Sequence, residues 1–213
     1  DLKYIVGSLE EEMLELSGKN VLITGGAGFL GYYLVQSILF WNEENKDKFA
    51  TINLSICDNF IRGLPEWINS LKKNTECKII NQDITEFSHK SNPNINYIIH
   101  AASIASPIFY RQFPIETMDA NIIGLRNLLN YSLSNKSNIK GFLYFSSSEI
   151  YGDPDAQNIP TSEEYNGNVS CTGPRACYDE SKRYGETLCV NFSQQHNLNI
   201  GIARPFNNYG PGL

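Results

Sequence analysis

A doubly wound α/β fold with a parallel sheet is expected for this chain from three features. Six short apolar runs suit strands that are buried on both faces, and they alternate with longer stretches of helical character. These helical stretches allow the right-handed crossovers that join successive parallel strands. A glycine-rich turn joins the first run to the first long helix. With 213 residues, of which 41% are hydrophobic, the chain can bury one substantial core of this kind.

The elements are expected in a fixed order along the chain. The predicted strands are VLIT (21–24), INLSIC (52–57), KII (78–80), YIIHAA (97–102), GFLYFSS (141–147) and NIGIAR (199–204). The longest predicted helices cover 28–41, 115–134 and 177–196, and Asn-rich patches at 42–45, 92–96 and 135–138 predict polar loops. Residues 9–16 predict a short acidic amphipathic helix, so 1–18 is assigned as an N-terminal helical extension and 19–213 as the main domain.

Composition argues against two classes of partner. The chain has 23 acidic and 17 basic residues, and its lysines and arginines form no run that could follow a phosphate backbone, so we expect no nucleic acid. No apolar stretch approaches the roughly 18 residues of a membrane span, and the N-terminus lacks the pattern of a secretory leader, so we expect no membrane partner. Because the chain begins with Asp1, a processed or trimmed product is expected.

The cysteines and histidines point to a reducing compartment and to no metal. The five cysteines are odd in number and contain no CxxC pair, which favours reduced thiols, mostly buried, and a cytoplasmic location. The three histidines are widely spaced, so a metal site is not expected. His100 ends a buried strand and is predicted to be a core residue, whereas His89 and His196 are predicted to lie in a loop or at a helix end.

The segment TGGAGFLG places Gly25, Gly28 and Gly31 at the turn from the first strand into the first long helix. Glycines here permit a tight turn, close approach of the backbone to a pyrophosphate and close packing of helix on strand. The N-terminus of the helix then faces the anion. The turn therefore predicts a dinucleotide site that includes these glycines together with Phe29 and Leu30.

Asp58 closes the second predicted strand, where a carboxylate can accept hydrogen bonds from an adenosine ribose and would repel a 2′-phosphate. It therefore favours NAD over NADP, although it lies further from the glycines than the usual ~20 residues and Arg62 is close by. A structural role for Asp58 as a turn cap is the alternative. Asn59, the next residue, is included in the predicted cofactor site.

Two further strand ends are assigned to the cofactor. Asp83 and Ile84 follow the third strand, beside the expected position of the adenine, although Asp83 could equally be a helix N-cap. The fourth strand ends in Ala101, Ala102 and Ser103, whose side chains are small enough for a cofactor to lie across the strand ends.

The segment GPRACYDESKR sets Tyr178 and Lys182 on one face of a predicted helix. A nearby ammonium favours phenolate, so it can lower a tyrosine pKa from near 10 toward neutrality and make the pair an acid/base unit. Such a pair also arises by chance in many helices, where the lysine is simply solvated. The other motifs of the chain decide between the two interpretations.

TGGAGFLG, HAAS, SSSEIYG, YDESK and RPFNNYGP, in this order and spacing, resemble the extended short-chain dehydrogenase/reductase superfamily that acts on nucleotide sugars, the NAD-dependent epimerase/dehydratases. The resemblance runs from about Asn20 to the C-terminus and implies a Rossmann fold that binds NAD. HAASIASPIFY, GPRACYDESKR and RPFNNYGPGL resemble most closely the UDP-glucuronate decarboxylases, which make UDP-xylose, with the dTDP-glucose 4,6-dehydratases next.

The resemblance implies a catalytic set. Tyr178 would act as base on the sugar 4-hydroxyl while NAD takes hydride from C4, and Lys182 would lower the tyrosine pKa and hold the nicotinamide ribose. Ser147 would bond O4 of the substrate. In UDP-glucuronate the new 4-ketone is β to the C5 carboxylate and accepts the electrons released with CO₂. Protonation at C5 and return of hydride would give UDP-xylose, so NAD is recycled.

Ser148 and Glu149 bear on the choice among members of the superfamily. Dehydratases carry Asp and Glu here; the Asp protonates a leaving hydroxyl and the Glu removes the C5 proton. Serine is a poor acid for that purpose, and decarboxylation expels no hydroxide, so the pair favours a decarboxylase. Glu149 would handle the C5 proton or orient a water, unless it only caps a turn. A 4,6-dehydratase, a 4-epimerase and a non-catalytic NAD-binding scaffold are the alternatives.

Several polar residues are assigned to the nucleotide-sugar substrate. They are Ser103, Tyr110, Ser148, Arg175 and Asn207, with Arg111 and Arg204 as further candidates for the diphosphate or the carboxylate. By resemblance, Asn207 would bond the diphosphate-sugar and Tyr110 would lie in a loop near the sugar. Arg204 could equally be a structural ion-pair partner, and Tyr151 is expected to pack.

The resemblance has two implications for the whole protein. Members of the superfamily pair the helices that correspond to 115–134 and to the Tyr178 helix in a four-helix bundle, so a homodimer is expected. They also continue beyond the position of Leu213 with a C-terminal substrate-binding lid. We therefore expect the lid to be missing from this chain, which alone would bind NAD but turn over poorly.

Overall fold

The computed structural model describes residues 1–88 and 94–211. The strands are β1 (Asn20–Thr24), β2 (Asn53–Asp58), β3 (Cys77–Asn81), β4 (Tyr97–His100), β5 (Gly141–Phe145) and β6 (Ile200–Ala203). The α-helices are α1 (Leu2–Ser8), α2 (Glu10–Leu16), α3 (Phe29–Asn45), α4 (Glu66–Leu71), α5 (Pro107–Gln112), α6 (Pro114–Asp119), α7 (Leu125–Ser134) and α8 (Ala176–His196). His89, predicted in a loop, and the start of the Asn-rich patch at 92–96 lie outside the described residues.

The six strands form one parallel sheet in the order β3-β2-β1-β4-β5-β6. In register, Thr24 at the end of β1 pairs with Cys57 of β2 on one side and with His100 of β4 on the other. The carboxyl ends of β1, β2 and β4 therefore meet at one edge, where the strand order reverses. Ligands of doubly wound sheets bind in the crevice at this point. The predicted doubly wound Rossmann fold is confirmed.

Alternating residues of the strands supply two apolar clusters, one on each face of the sheet. Val21 and Ile23 pack with side chains of α2, α3 and α4, whereas Leu22 packs with side chains of α7 and α8. The strands are thus buried on both faces, as their continuous apolar runs predict. Met13, which is 5% exposed, belongs to the first of these clusters, so the N-terminal helices share the core of the main domain.

Three of the predicted helices differ in detail from the structure. The helix predicted over 28–41 continues to Asn45 as α3, so the prediction of a polar loop at 42–45 is wrong. The N-terminal extension contains α1 as well as α2, which has the predicted bounds within one residue. The predicted helix over 115–134 consists of α6 and α7 with a π-helical turn between them at Ala120–Gly124. This turn holds the amide of Asn121 against α8, where it donates to Ser181 Oγ at 2.8 Å. The wider turn therefore serves a contact between two helices.

Candidate active site

The glycine-rich turn can exist only with glycine at two of its positions. Gly25 has a φ of +69°, and a Cβ there would lie 2.6 Å from the backbone of Ala102 at the end of β4. A Cβ on Gly31 would lie 2.6 Å from the carbonyl oxygen of Gly25. Gly28 is the N-cap of α3, and no side chain caps the helix, so its first N–H groups are available to a ligand. The turn has the geometry of a pyrophosphate cradle.

Asp58 joins this turn to the end of β2. One carboxylate oxygen accepts from the N–H of Ala27 at 3.1 Å, and the other accepts from the N–H of Phe60 at 2.9 Å. Burial raises the pKa of the Asp58 carboxyl, and the two hydrogen bonds oppose this. The turn-capping role is thus present in the structure, and each oxygen keeps a second lone pair for a ribose hydroxyl. Ribose binding by Asp58 stays a prediction.

Asn59 and Asp83 lie on neighbouring strand ends and bond to each other. Asn59 Nδ2 donates to Asp83 Oδ2 at 2.7 Å, and Asp83 Oδ1 accepts from the backbone and hydroxyl of Thr85. Although burial alone would raise it, these hydrogen bonds hold the pKa of Asp83 below its ordinary value. Asp83 is therefore the N-cap of the short 3₁₀ helix Ile84–Glu86, which is the alternative that the sequence left open.

The end of β4 leaves a polar atom available at the crevice. Ala101 and Ala102 follow the strand without large side chains, and the Ala102 N–H donates to Thr24 Oγ1 at 3.4 Å. Ser103 Oγ is buried and has no hydrogen-bond partner among the residues that the structure describes. A buried hydroxyl of this kind is normally bonded, so a ligand is its natural partner. With the glycine cradle and the first turn of α3, which carries Phe29 and Leu30, these residues fit a dinucleotide.

Tyr178 lies in the first turns of α8 and is 6% exposed. Its phenol lies near the hydroxyl of Ser147, which follows β5 and accepts from the N–H of Glu149 at 3.2 Å. Burial raises the pKa of Tyr178, although the interaction with Ser147 opposes the rise. The expectation of a lowered tyrosine pKa is therefore wrong for this structure, because loss of solvation outweighs nearby positive charge.

Lys182 shares a face of α8 with Tyr178, as its spacing predicts, but its ammonium is engaged elsewhere. Nζ donates to the carbonyl oxygen of Phe145 at 2.8 Å and lies 5.8 Å from the centre of the Tyr178 ring. The side chain is 3% exposed, and burial lowers the pKa of Lys182 to about 7. A lysine in this state can carry or release a proton near neutral pH.

Three charged side chains, Glu149, Arg175 and Asp179, form a group beside Tyr178 that we call the Arg175 cluster. Arg175 Nη2 is paired with the Glu149 carboxylate and lies 3.6 Å from Asp179 Oδ1. Glu149 is therefore engaged in an ion pair, and the following 3₁₀ turn is capped by Ser147 instead. Arg175 faces two carboxylates of the protein itself in this structure.

The other predicted substrate residues are placed in three different ways. Tyr110 is 2% exposed, and its ring stacks on that of Tyr178 at 5.2 Å. The N–H of Ser148 donates to the carbonyl oxygen of Pro205 at 3.0 Å, which leaves its hydroxyl for other partners. Asn207 and Arg111 are exposed at the surface. Substrate binding by these residues stays a prediction.

Arg204 is a structural residue. Its guanidinium holds both oxygens of Glu186, at 2.9 and 2.8 Å, and also donates to the phenol of Tyr151 and to a backbone carbonyl. These partners use its donors, so the suggested role at the diphosphate is not supported and the ion-pair alternative is correct. Tyr151 packs at 3% exposure, as expected.

His100 is a core residue as predicted. The ring is 1% exposed, and its Nδ1 is hydrogen-bonded to Thr24 Oγ1 at 2.7 Å. Burial lowers the pKa of His100 to about 3, so the ring stays neutral. Across residues 1–88 and 94–211, no three or more His, Cys, Asp or Glu side chains are grouped as metal ligands would be. No helix in the same ranges is long and apolar enough to cross a membrane.

Two residues near the site were not singled out from the sequence. Asn121 joins the π-helical turn to α8, and its Oδ1 is buried without a partner in residues 1–88 and 94–211. Asp179 lies in YDESK, but nothing in that segment distinguishes it from a solvated acid. A signal was available for Asn121, since an amide on the apolar face of a predicted helix needs a partner. For Asp179, only the fold shows the burial.

A parallel doubly wound sheet with a glycine cradle and a Ser–Tyr–Lys set at its carboxyl edge defines a class of dinucleotide-binding proteins. A family model described as "NAD dependent epimerase/dehydratase family" matches residues 21–212. The chain belongs to this family, whose description names the predicted cofactor, NAD.

Relatives and solved structures agree with this assignment. UDP-glucuronic acid decarboxylase 6 of Arabidopsis thaliana is 38% identical over 92% of this chain and 53% of its own length. UDP-glucuronic acid decarboxylase 1 of Xenopus tropicalis is 36% identical over 93% of this chain and 43% of its own length. Thus the chain spans about half the length of the curated relatives that it matches.

Among solved structures, a UDP-N-acetylglucosamine 4-epimerase from Methanobrevibacter ruminantium superposes with a TM-score of 0.75 at 26% identity, covering 92% of this chain and 57% of the other. A UDP-glucuronic acid 4-epimerase from Bacillus cereus, solved in complex with NAD, gives a TM-score of 0.72 at 27% identity, covering 90% and 57%.

Proposed function

We propose that this protein is a nucleotide-sugar-modifying enzyme that uses NAD and, specifically, a UDP-glucuronate decarboxylase. The observation that carries the proposal is the placement of Ser147, just after β5, and of the buried Tyr178 side by side at the carboxyl edge of the sheet that also carries the glycine cradle. That arrangement holds a phenol where it can exchange a proton with a sugar hydroxyl. The Ser148–Glu149 pair and the named relatives support the choice of a decarboxylase.

Each residue of the site has a separate role in the proposed reaction. Tyr178, in its phenolate form, takes the proton of the 4-hydroxyl and becomes the neutral phenol, and Ser147 orients that hydroxyl through its own oxygen. Lys182, buried next to Tyr178, supplies a group that can carry or release a proton near neutral pH. Bound NAD would supply the hydride acceptor at C4 and return the hydride later. Glu149 handles the proton at C5 once CO₂ has left.

The test is an incubation of the protein, in its full natural length, with UDP-glucuronate and NAD. We expect release of CO₂ and formation of a UDP-pentose without net consumption of NAD. The absence of CO₂, together with turnover of a dTDP-hexose, would replace the decarboxylase by a 4,6-dehydratase.

A 4-epimerase is the second candidate, and the likeness to two epimerase structures favours it. The same incubation distinguishes the two reactions. An epimerase returns UDP-galacturonate, in which every carbon of the substrate is retained, whereas a decarboxylase loses one. Carbon-13 labelling at C6 reports the difference directly.

We also propose a homodimer in the cytoplasm. Side chains on α6, the π-helical turn and α8 leave large apolar groups exposed at the surface, including Ile115, Met118, Ile123, Tyr184 and Val190. Exposed apolar groups on helices that contact each other are typical of an interface. The five cysteines are free, which is consistent with a reducing compartment.

A further inference from the structure

The Arg175 cluster contains one guanidinium and two carboxylates, and only one of its two ion pairs is at hydrogen-bonding distance. The pair with Glu149 is formed, whereas the 3.6 Å between Arg175 Nη2 and Asp179 Oδ1 is too long for a hydrogen bond. The two carboxylates lie on different elements: Glu149 follows β5, and Asp179 is in the first turn of α8.

Two buried hydrogen-bonding groups of the cluster are unused among the described residues. Asp179 is 7% exposed, and its Oδ1 has no hydrogen-bond partner there. Arg175 Nε is likewise buried and has no acceptor in the described ranges. A buried acceptor and a buried donor without partners are each unfavourable, so Asp179 offers an unused acceptor 3.6 Å from Nη2 of the Arg175 guanidinium.

Glu149 is a poor proton acceptor as long as Arg175 holds it. A guanidinium in contact with a carboxylate favours the ionised form, which weakens that carboxylate as a base. The proposed reaction needs Glu149 to exchange a proton at C5, so the pair must open during turnover. When it opens, the Arg175 charge needs another acceptor close by.

We infer that Asp179 is a positioning residue, the alternative ion-pair partner of the Arg175 guanidinium. Transfer of Arg175 from Glu149 to Asp179 then frees Glu149 to act on the sugar. The inference rests on the proposed role of Glu149. The two arrangements exchange one ion pair for another, so only a modest difference in free energy separates them. Arg175 is thereby assigned to control of the site rather than to contact with the substrate.

The movement of Arg175 can be measured without substrate. Nitrogen-15 labelling of the six arginines gives one Nε–H signal for each, and the Arg175→Lys variant identifies the signal of Arg175. In Glu149→Gln the ion pair between Arg175 and Glu149 is lost, so we expect the Arg175 Nε–H signal to shift and its exchange with solvent to slow. The change should disappear in the double variant Glu149→Gln/Asp179→Asn. Glu180→Gln, which removes the partner of Arg183, is the control and should leave the Arg175 signal in place.

A second measurement follows the reaction in the full-length protein. Asp179→Asn should lower kcat about tenfold with little change in KM, with NADH accumulating in the first turnover because the step that needs Glu149 is slowed. Asp179→Glu should restore part of the rate. In the Glu149→Gln background, Asp179→Asn should have no further effect.

The two measurements separate failure of this inference from failure of the proposed function. An Arg175 signal that is unmoved in Glu149→Gln, or a shift that persists in the double variant, would show that Asp179 is not an alternative partner of Arg175, whatever the reaction is. Additive effects of the Glu149 and Asp179 substitutions on kcat would overturn the inference as well. Absence of CO₂ from wild-type protein would instead refute the decarboxylase. The arginine signals would then still show whether Asp179 is an alternative partner of Arg175.

Discussion

Burial is the main influence on both members of the Tyr178–Lys182 pair. It raises the pKa of the phenol and lowers that of the ammonium to about 7, so both neutral forms are favoured. The charge that the sequence places four residues from Tyr178 therefore does not dominate. A bound dinucleotide and sugar would add polar groups to the crevice and change this balance.

Replacing Tyr178 by Phe tests the role of the phenol. The variant keeps the ring and its stacking on Tyr110 but loses the hydroxyl, so hydride transfer should fall by at least ~100-fold while NAD binding is largely retained. Single-turnover absorbance of NADH and a calorimetric NAD titration measure the two quantities. Tyr184→Phe, on an exposed part of the same helix, is the matched control. Loss of NAD binding in Tyr178→Phe would indicate a structural residue.

The stability of the protein should depend on pH through Lys182. An unfolded lysine keeps its ordinary pKa of 10.5, whereas in the folded protein the pKa of Lys182 is about 7. Between these values the unfolded state binds more protons, so the contribution of Lys182 to stability rises with pH from about 7 and is least favourable below it.

Lys182→Met removes the buried charge. We expect the variant to gain stability over wild type at pH 6, with an upper limit of about 5 kcal/mol reduced by the lost bond to Phe145, and the gain to shrink toward pH 9. Thermal unfolding across this range measures it, with Lys3→Met as a control for loss of an exposed lysine. A difference that is constant with pH would show that Lys182 is not neutralised by burial.

At the level of elements, the contact between the glycine turn and α3 sets the shape of the crevice. Gly31 is buried in the first turn of α3, where a Cβ would meet the backbone of Gly25 and Gly26 at 2.6 Å. Backbone atoms cannot yield as a flexible side chain does. The helix would have to move away from the turn.

Gly31→Ala should therefore abolish NAD binding and destabilise the fold by at least about 1 kcal/mol, which calorimetry and thermal unfolding will measure. Gly7→Ala makes the same chemical change in α1, where a Cβ has nothing within 4 Å. The Gly7→Ala control should bind NAD with the affinity of the wild type and gain up to about 1 kcal/mol in stability. Equal NAD affinity in Gly31→Ala and wild type would contradict the prediction that the glycine turn binds NAD.

The π-helical turn marks the limit of periodicity as a guide to elements. The apolar spacing over 115–134 correctly indicates helix, but a period of 3.6 residues does not show where one extra residue is accommodated. That position depends on Ser181 of α8, which receives the Asn121 amide. The partner lies 60 residues further along the chain.

For the whole molecule, the exposed apolar side chains on α6 and α8 support the proposed dimer. Val190→Glu replaces one of them by a charge and should convert the dimer to monomer, because an unpaired charge at an apolar interface is strongly unfavourable. Tyr4→Glu introduces the same charge on α1, at a site that is 80% exposed, and should leave the dimer intact. Sedimentation velocity distinguishes these states. A wild-type protein that is monomeric at all concentrations would remove the dimer.

Local rules account for most of the agreement between sequence and structure. Strand and helix periods, the glycine requirement at Gly25 and Gly31 and the Tyr178–Lys182 spacing depend on neighbouring residues, so they can be read along the chain. The order of strands follows from crossovers that have one hand. These features predict the sheet, the crevice and the cluster of site residues at its edge.

The charges of the site follow a different logic. Arg204 bonds Glu186, Arg175 is paired with Glu149, and Lys182 loses its solvation, although each looks like an available charge in the sequence. Ion pairing and burial depend on which segments the fold brings together, often from distant parts of the chain. The pattern of residues therefore determines the architecture and the chemical inventory, whereas the tertiary packing decides which of those groups are free to react, because solvation and Coulomb interactions act through space.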